Sequence, residues 1–194
     1  MHLQDQFIPP SIPSDPNLTN DLSIRFAQEE DIPEILNLIR ELAEYEQLAH
    51  CVTATTEILR TSLFGDRRTA EVLLAVAEGK AVGYALFFHN FSTFLGKPGI
   101  YIEDIFVRPA FRNNGVGKAF FQKIAALALE RDCGRIDWSV LDWNQSAIDF
   151  YRAMGAHPVD GWTVYRLVES DFPRIAGLSP CETTPCKDAS TNPS

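Results

Sequence analysis

The stretch from Gly99 to Glu130 constrains this chain more than any other. Gly99–Val107 is an apolar run that reads as a strand, and Pro109 stops it. Arg112-Asn113-Asn114-Gly115-Val116-Gly117-Lys118 follows. From Gly115 to Glu130, Val116, Ala119, Phe120, Ile124, Leu127 and Ala128 recur on one helical face. A strand therefore turns through glycines into the start of an amphipathic helix. Such a helix start has unpaired N–H groups and a partial positive charge. Glycines let an anion approach that backbone closely, and Arg112 and Lys118 add cationic contacts. The pattern lacks the Gly-Lys-Ser/Thr ending of a nucleotide-binding P-loop and the third glycine of the dinucleotide fingerprint. Taken alone it supports either a diphosphate site or a glycine-relaxed turn that binds nothing.

The rest of the chain alternates strand and helix signals. Ser23–Ala27 is a short strand. Ile32, Ile35, Leu36, Ile39, Leu42 and Ala43 mark a helix, with Pro33 in its first turn and Glu29, Glu30 and Asp31 before it. Thr53–Phe64 reads as a second helix ending near Gly65. Glu71–Ala77 and Ala81–Phe88 are strands joined by a hairpin turn at Glu78-Gly79-Lys80. Arg135–Leu141 is a strand, Ser146–Met154 a short helix closed by Gly155, and Gly161–Val168 a last strand. This order predicts a mixed α/β (α+β) sheet covered by helices. Residues 1–21 carry four prolines among polar neighbours and read as a flexible arm. Residues 22–176 are the folded domain, and 177–194 read as a disordered tail.

A net charge of −9 argues against nucleic acid as a partner, because a phosphate backbone needs a basic face. It suits a small cationic substrate, or solubility alone. No apolar run is long enough to span a bilayer, and residues 1–20 lack the basic start and apolar core of a secretory signal. A cytoplasmic protein without membrane contact is expected. Cys51, Cys133, Cys181 and Cys186 form no CxxC pair, no histidine sits at zinc-ligand spacing, and no metal site is expected. Cys181 and Cys186 could pair, but nothing in the sequence requires it.

The second segment of chemical interest is Val140–Ala156, in which a strand runs into a short helix carrying Asn144 near its start and Tyr151 two turns later. By itself Asn144 reads as a helix cap and Tyr151 as a packing aromatic. Ile148 and Met154 are expected to face the core. In this order, Arg112-x-x-Gly115-x-Gly117 and Asn144–Gly155 resemble the pyrophosphate motif and the second cofactor motif of the GNAT family of N-acetyltransferases. Leu36–Glu46, Tyr101–Val107 and Val140–Gln145 are similar to one branch, the spermidine/spermine and thialysine acetyltransferases. The Glu78-Gly79-Lys80 turn and the stretch from Gly155 to Trp162 are shorter than that branch's pattern.

The resemblance implies a GNAT fold: a mixed, largely antiparallel sheet of six to seven strands flanked by helices and splayed between strands four and five. It implies acetyl-CoA as cofactor, held by Ile105, Phe106, Val107, Arg112–Lys118, Asn144, Ser146, Ala147 and Tyr151. Tyr151 is implied as the general acid and Glu103 as the base or amine anchor. Glu103 and Asp104 are adjacent in a strand, so their side chains are expected on opposite faces, with Asp104 reaching a helix or a partner subunit. Tyr45, Glu46, Glu103, Asp104, Asp137, Trp138 and Asp160 are implied as substrate contacts. The implied activity is direct transfer of an acetyl group, in a ternary complex, to a primary amine of a small cationic molecule. That molecule is a diamine or polyamine, or a lysine-, ornithine- or thialysine-like amino acid. A homodimer is implied as well. Acetylation of protein lysines or N-termini is a second enzymatic reading, and a non-catalytic acyl-CoA sensor is one of another class.

Overall fold

The computed structural model describes residues 22–178. Cys181 and Cys186, and most of both tails, lie outside the described residues. By backbone contacts the chain falls into two compact units. The first comprises the described residues up to Ile39 together with Ala54–Trp138, and the second comprises Arg40–Thr53 and the described residues from Ser139.

The first unit is built on a sheet of five strands in the order β1 (Ser23–Phe26), β2 (Glu71–Ala77), β3 (Lys80–Ser92), β4 (Lys97–Val107) and β5 (Ile136–Trp138). The first four pair antiparallel and β5 pairs parallel to β4. The β2–β3 turn is two residues long, with Ala77 opposite Lys80. Glu78 (φ 51°) and Gly79 (φ 73°) are both left-handed, the conformation whose twist matches the flanking strands.

One face of the sheet packs on α3 (Val116–Glu130). Leu73, Ala75, Ala85, Phe87, Ile100 and Ile102 meet Val116, Phe120, Ile124, Leu127 and Ala128 there. The apolar helical stripe read from the sequence is this buried face, except that Ala119 is only half-buried. α1 (Ile32–Tyr45) runs from the first unit into the second and buries Ile32, Ile35, Leu36 and Leu38 within the first. The Arg108 guanidinium anchors it, donating 2.9 Å to Glu34 and 2.6 Å to the carbonyl of Ala81. α2 (Thr56–Phe64) starts after Thr55, whose hydroxyl accepts from the Ile58 amide, and buries Leu59 and Leu63.

The second unit holds the end of α1, α4 (Gln145–Ala153) and the short α5 (Phe172–Ile175). The structure corrects the expected strand count here: among the described residues there are five strands, not six or seven. The expected strand Arg135–Leu141 is reduced to Ile136–Trp138, and Gly161–Val168 belongs to no strand. Alternating apolar residues report strand propensity, but a strand exists only where another lends its N–H and C=O groups. Met154 and Ile148 also differ from expectation: α4 has no buried residue, Ile148 is half-buried and Met154 is exposed.

Candidate active site

In the first unit, the end of β4 carries the acids. The β3–β4 register slips by one residue between Leu86, opposite Asp104, and Phe87, opposite Ile102. Glu103 is the extra residue, a bulge that changes the phase of the strand. Ile100 and Ile102 lie on the α3 face before it, and Ile105 and Val107 pack against the same core after it. Glu103 and Asp104 together fill the gap, so the expected opposition of their side chains is corrected: neither lies on the α3 face. Glu103 is exposed. Asp104 is half-buried and accepts a 2.9 Å hydrogen bond from the hydroxyl of Tyr84, which is fully buried. Burial pushes the Asp104 carboxyl above its ordinary value; the Tyr84 hydrogen bond opposes this, and the neighbouring Glu103 charge adds to it. Asp104 thus reaches into the sheet, not to a helix.

β5 pairs with β4 only at Ile100, Tyr101 and Ile102. From Glu103 to Val107, β4 is paired only with β3. The amide of Arg108 bonds to Val82 on β3. By alternation, the backbone groups of Ile105 and Val107 point away from β3. The carbonyl of Val107 is taken by Arg112 Nε at 2.9 Å, and the Arg112 guanidinium carbon lies 5.7 Å from the centre of the Phe106 ring. Arg112 is thereby tied to the end of β4 at the mouth of the glycine loop.

That loop ends in a left-handed Gly115 (φ 79°) as the N-cap of α3, with Asn113 also left-handed (φ 64°). The helix start has no side-chain cap and no acidic residue in its first turn, unlike α1 with Glu34 and α2 with Thr55 and Glu57. Its first N–H groups and dipole suit an external anion. Asn113, Asn114 and Lys118 are exposed, Gly115 and Gly117 half-buried, and Val116 is buried into the core.

Two further expected contacts lie on β5. Asp137 is held by Arg135 Nε at 2.8 Å and accepts from Asn90 Nδ2 at 3.3 Å. Trp138 packs edge-on against Phe121 of α3, with ring centres 5.0 Å apart. Both side chains have roles in holding the sheet together.

In the second unit, the Asn144 side chain caps α4 by accepting from the Ala147 amide. Ser146 is exposed and Ala147 half-buried in the first turn. Tyr151, half-buried two turns on, has its phenol pushed up to about 12, first by burial and then by the charge of Glu46. Tyr45 ends α1 and Glu46 follows it, and the Tyr45 ring lies 5.8 Å from that of Trp143. Asp160 is exposed just before Gly161. The unit thus brings Tyr45 to Trp143 and Glu46 near Tyr151. Tyr84 carries no sequence signal of its own and stands out only through its pairing with Asp104. Trp143 lies in the Val140–Gln145 run, and its contact with Tyr45 is what the sequence did not single out. Among the described residues, no three His, Cys, Asp or Glu side chains cluster to hold a metal, and no helix is long and apolar enough to cross a membrane.

The sequence profile of the acetyltransferase (GNAT) family matches residues 32–156. The thialysine N-epsilon-acetyltransferase of Bos taurus is 40% identical over 165 residues, which are 79% of this chain and 96% of that protein. The L-ornithine N5-acetyltransferase of Arabidopsis thaliana is 30% identical, across 88% of this chain and 99% of its own length. Among solved structures, an integron cassette protein from the mobile metagenome of V. cholerae superposes with a TM-score of 0.69 at 23% identity, covering 81% of this chain and 99% of that one.

Proposed function

The chain belongs to the GNAT acetyltransferase family and is an N-acetyltransferase, and we propose that it acts on small amines, moving the acetyl group of acetyl-CoA to a primary amine of a small cationic molecule. The observation that carries this reading is Tyr151. A half-buried phenol kept protonated beside the Glu46 carboxylate joins a proton donor and an attractor of cations in one compact unit.

The residues present fit the cofactor. The uncapped start of α3, with left-handed Gly115 and Asn113, offers N–H groups to a pyrophosphate, and Arg112, Asn114, Val116, Gly117 and Lys118 surround that start in the sequence. The Ile105 backbone and the Val107 N–H, which point away from β3, suit the amide groups of a pantetheine arm, with Phe106 between them. Asn144, Ser146 and Ala147 at the head of α4 are further cofactor contacts in this reading. Bound acetyl-CoA supplies a thioester whose carbonyl is open to attack.

A free alkyl amine is protonated near neutral pH, with a pKa of about 10. In this reading Glu103 holds the ammonium and takes its proton directly or through water. With acetyl-CoA bound, the amine lone pair would form the C–N bond as the C–S bond breaks, the Tyr151 hydroxyl would give its proton to the departing thiolate, and the second proton of the acetylated nitrogen would return, directly or through water, to the Tyr151 oxygen. Tyr45, Glu46, Asp104, Asp137, Trp138 and Asp160 are the proposed substrate side, with Asp104, Asp137 and Trp138 acting chiefly by bracing the sheet. Direct transfer in a ternary complex, a cytoplasmic location and a homodimer complete the proposal. The dimer is supported by the run Trp162–Leu167, where Trp162 is 76% and Tyr165 92% exposed, a large apolar surface for a single chain; sedimentation gives the mass that decides it. The main test is thiol release from acetyl-CoA with spermidine, lysine, ornithine and thialysine. Turnover with at least one of them is expected. Turnover only with protein lysines or N-termini overturns the small-amine reading, and cofactor binding without any turnover overturns catalysis.

A further inference from the structure

The turn before α4 carries an aromatic residue that none of the roles above uses. Trp143 is 55% exposed, and its ring lies 5.8 Å from that of Tyr45, itself 37% exposed, at an interplanar angle of 52°. The backbone beneath it is fixed on both sides. The Asn144 amide bonds to the Leu141 carbonyl at 2.8 Å, and the Trp143 carbonyl accepts from the Gln145 amide at 2.9 Å. The next side chain, Asn144, caps α4. A large exposed indole is therefore held on a pinned turn, where ordering it on ligand binding costs little further entropy.

Its surroundings are acidic. Glu46 follows Tyr45 and is close enough for its charge to be felt at Tyr151. Asp142 precedes Trp143, and residues 41–48 and 141–144 contain no lysine or arginine. Two tilted aromatic rings, each next in sequence to a carboxylate, attract an ammonium group through the ring quadrupoles and through charge. A monoamine offers such a surface nothing once its one nitrogen is committed to the acetyl group.

We propose that Trp143 is a specificity-determining residue: with Tyr45 it forms an aromatic wall beside Glu46 that receives the second positively charged group of the acceptor, so that amines with a second charge are favoured over monoamines of matched length. This rests on the amine-acetyltransferase reading of the preceding section. The blander role of the same contact is to brace the turn before α4 against the end of α1, and the two roles differ in what they do to selectivity.

The test uses the full chain, acetyl-CoA and thiol release, with putrescine against butylamine as its monoamine match, in wild type, Trp143→Leu and Trp143→Phe. Trp143→Leu is expected to lower kcat/KM for putrescine about ten-fold, mostly through KM, while changing butylamine and the KM for acetyl-CoA by less than about two-fold. Trp143→Phe keeps a ring and is expected to recover most of the loss. A fall of equal ratio for both amines, or an unchanged ratio, overturns the proposal and leaves Trp143 as a brace. If wild type turns over no amine, the amine-acetyltransferase reading fails, and calorimetric titration of putrescine into the CoA-bound protein decides the wall separately. Binding by wild type that Trp143→Leu weakens sustains it; equal binding, or none, overturns it.

Discussion

The two compact units differ in how much of each is interior. The first holds the sheet, α3 and nearly all of the buried apolar side chains. In the second, Ala43 is the single buried hydrophobic among the described residues, while Tyr45, Trp143, Met154, Trp162, Tyr165 and Phe172 are exposed. Yet the second unit carries Tyr151, Glu46 and Asn144. Burial stabilises by roughly 25 cal/mol per Å² of apolar surface, so the first unit has the means to hold its shape and the second has much less. The less buried unit is therefore expected to open locally at lower cost than the packed one.

The comparison is tested most sharply at Tyr151. Tyr151→Phe is expected to lower kcat by about 100- to 10,000-fold, the usual contribution of a positioned general acid, with little change in Tm or in cofactor affinity. Because the phenol is pushed up to about 12, it keeps its proton across the neutral and mildly alkaline range. Its folded value lies above its unfolded one, so whatever stability it contributes is present below the ordinary tyrosine range and is lost only as pH rises through about 12. Rate and stability scans against pH check both statements, and a fully active Tyr151→Phe removes the residue from the acid role.

The opposite profile is expected in the first unit. Phe120 is fully buried in the α3–sheet core. Phe120→Ala is expected to cost about 3–5 kcal/mol and to lower Tm by roughly 10 °C, with kcat at low temperature nearly kept. A smaller effect is expected at Asn144. Loss of its cap in Asn144→Ala costs about 1 kcal/mol, and faster amide exchange confined to the first turn of α4 would show that the loss stays local. Exchange that spreads across the sheet would break the division between the units.

Much of the scaffold was legible in the sequence because its signals are local. The α3 stripe, the β2–β3 turn and the apolar runs of β2 and β4 each follow from spacing alone. The bulge at Glu103 was legible in principle: Ile100 and Ile102 fall out of step with Ile105 and Val107 by one residue, and a strict two-residue alternation hides that slip. Asn144 could be read as a cap or as a cofactor contact, and the structure shows the cap. The Tyr84–Asp104 hydrogen bond and the Tyr45–Trp143 pair were not legible, because each joins residues distant in sequence and neither side has a distinctive spacing. The absent strand at Gly161–Val168 failed for the converse reason: its local pattern is good, but no described strand pairs with it.

Asp104 tests the comparison from inside the well-packed unit, where it is a half-buried carboxyl. Its carboxyl is held by the Tyr84 hydroxyl at 2.9 Å, yet burial still pushes it above its ordinary value, with Glu103 adding to the shift. A carboxyl with a raised folded pKa binds its proton more tightly in the folded chain. Its contribution to stability is therefore present below the ordinary carboxylate range and is lost as pH rises through the folded value. At neutral pH the fold carries the cost of a partly desolvated charge. Asparagine keeps an oxygen to accept from Tyr84 and carries no charge, so Asp104→Asn is expected to raise Tm slightly at neutral pH and to lose that gain as the solution is acidified. Tm of both proteins across the acid-to-neutral range checks the sign. A difference that stays constant with pH, or grows on acidification, would mean that the Tyr84 hydrogen bond outweighs burial and that the sheet stabilises this carboxylate.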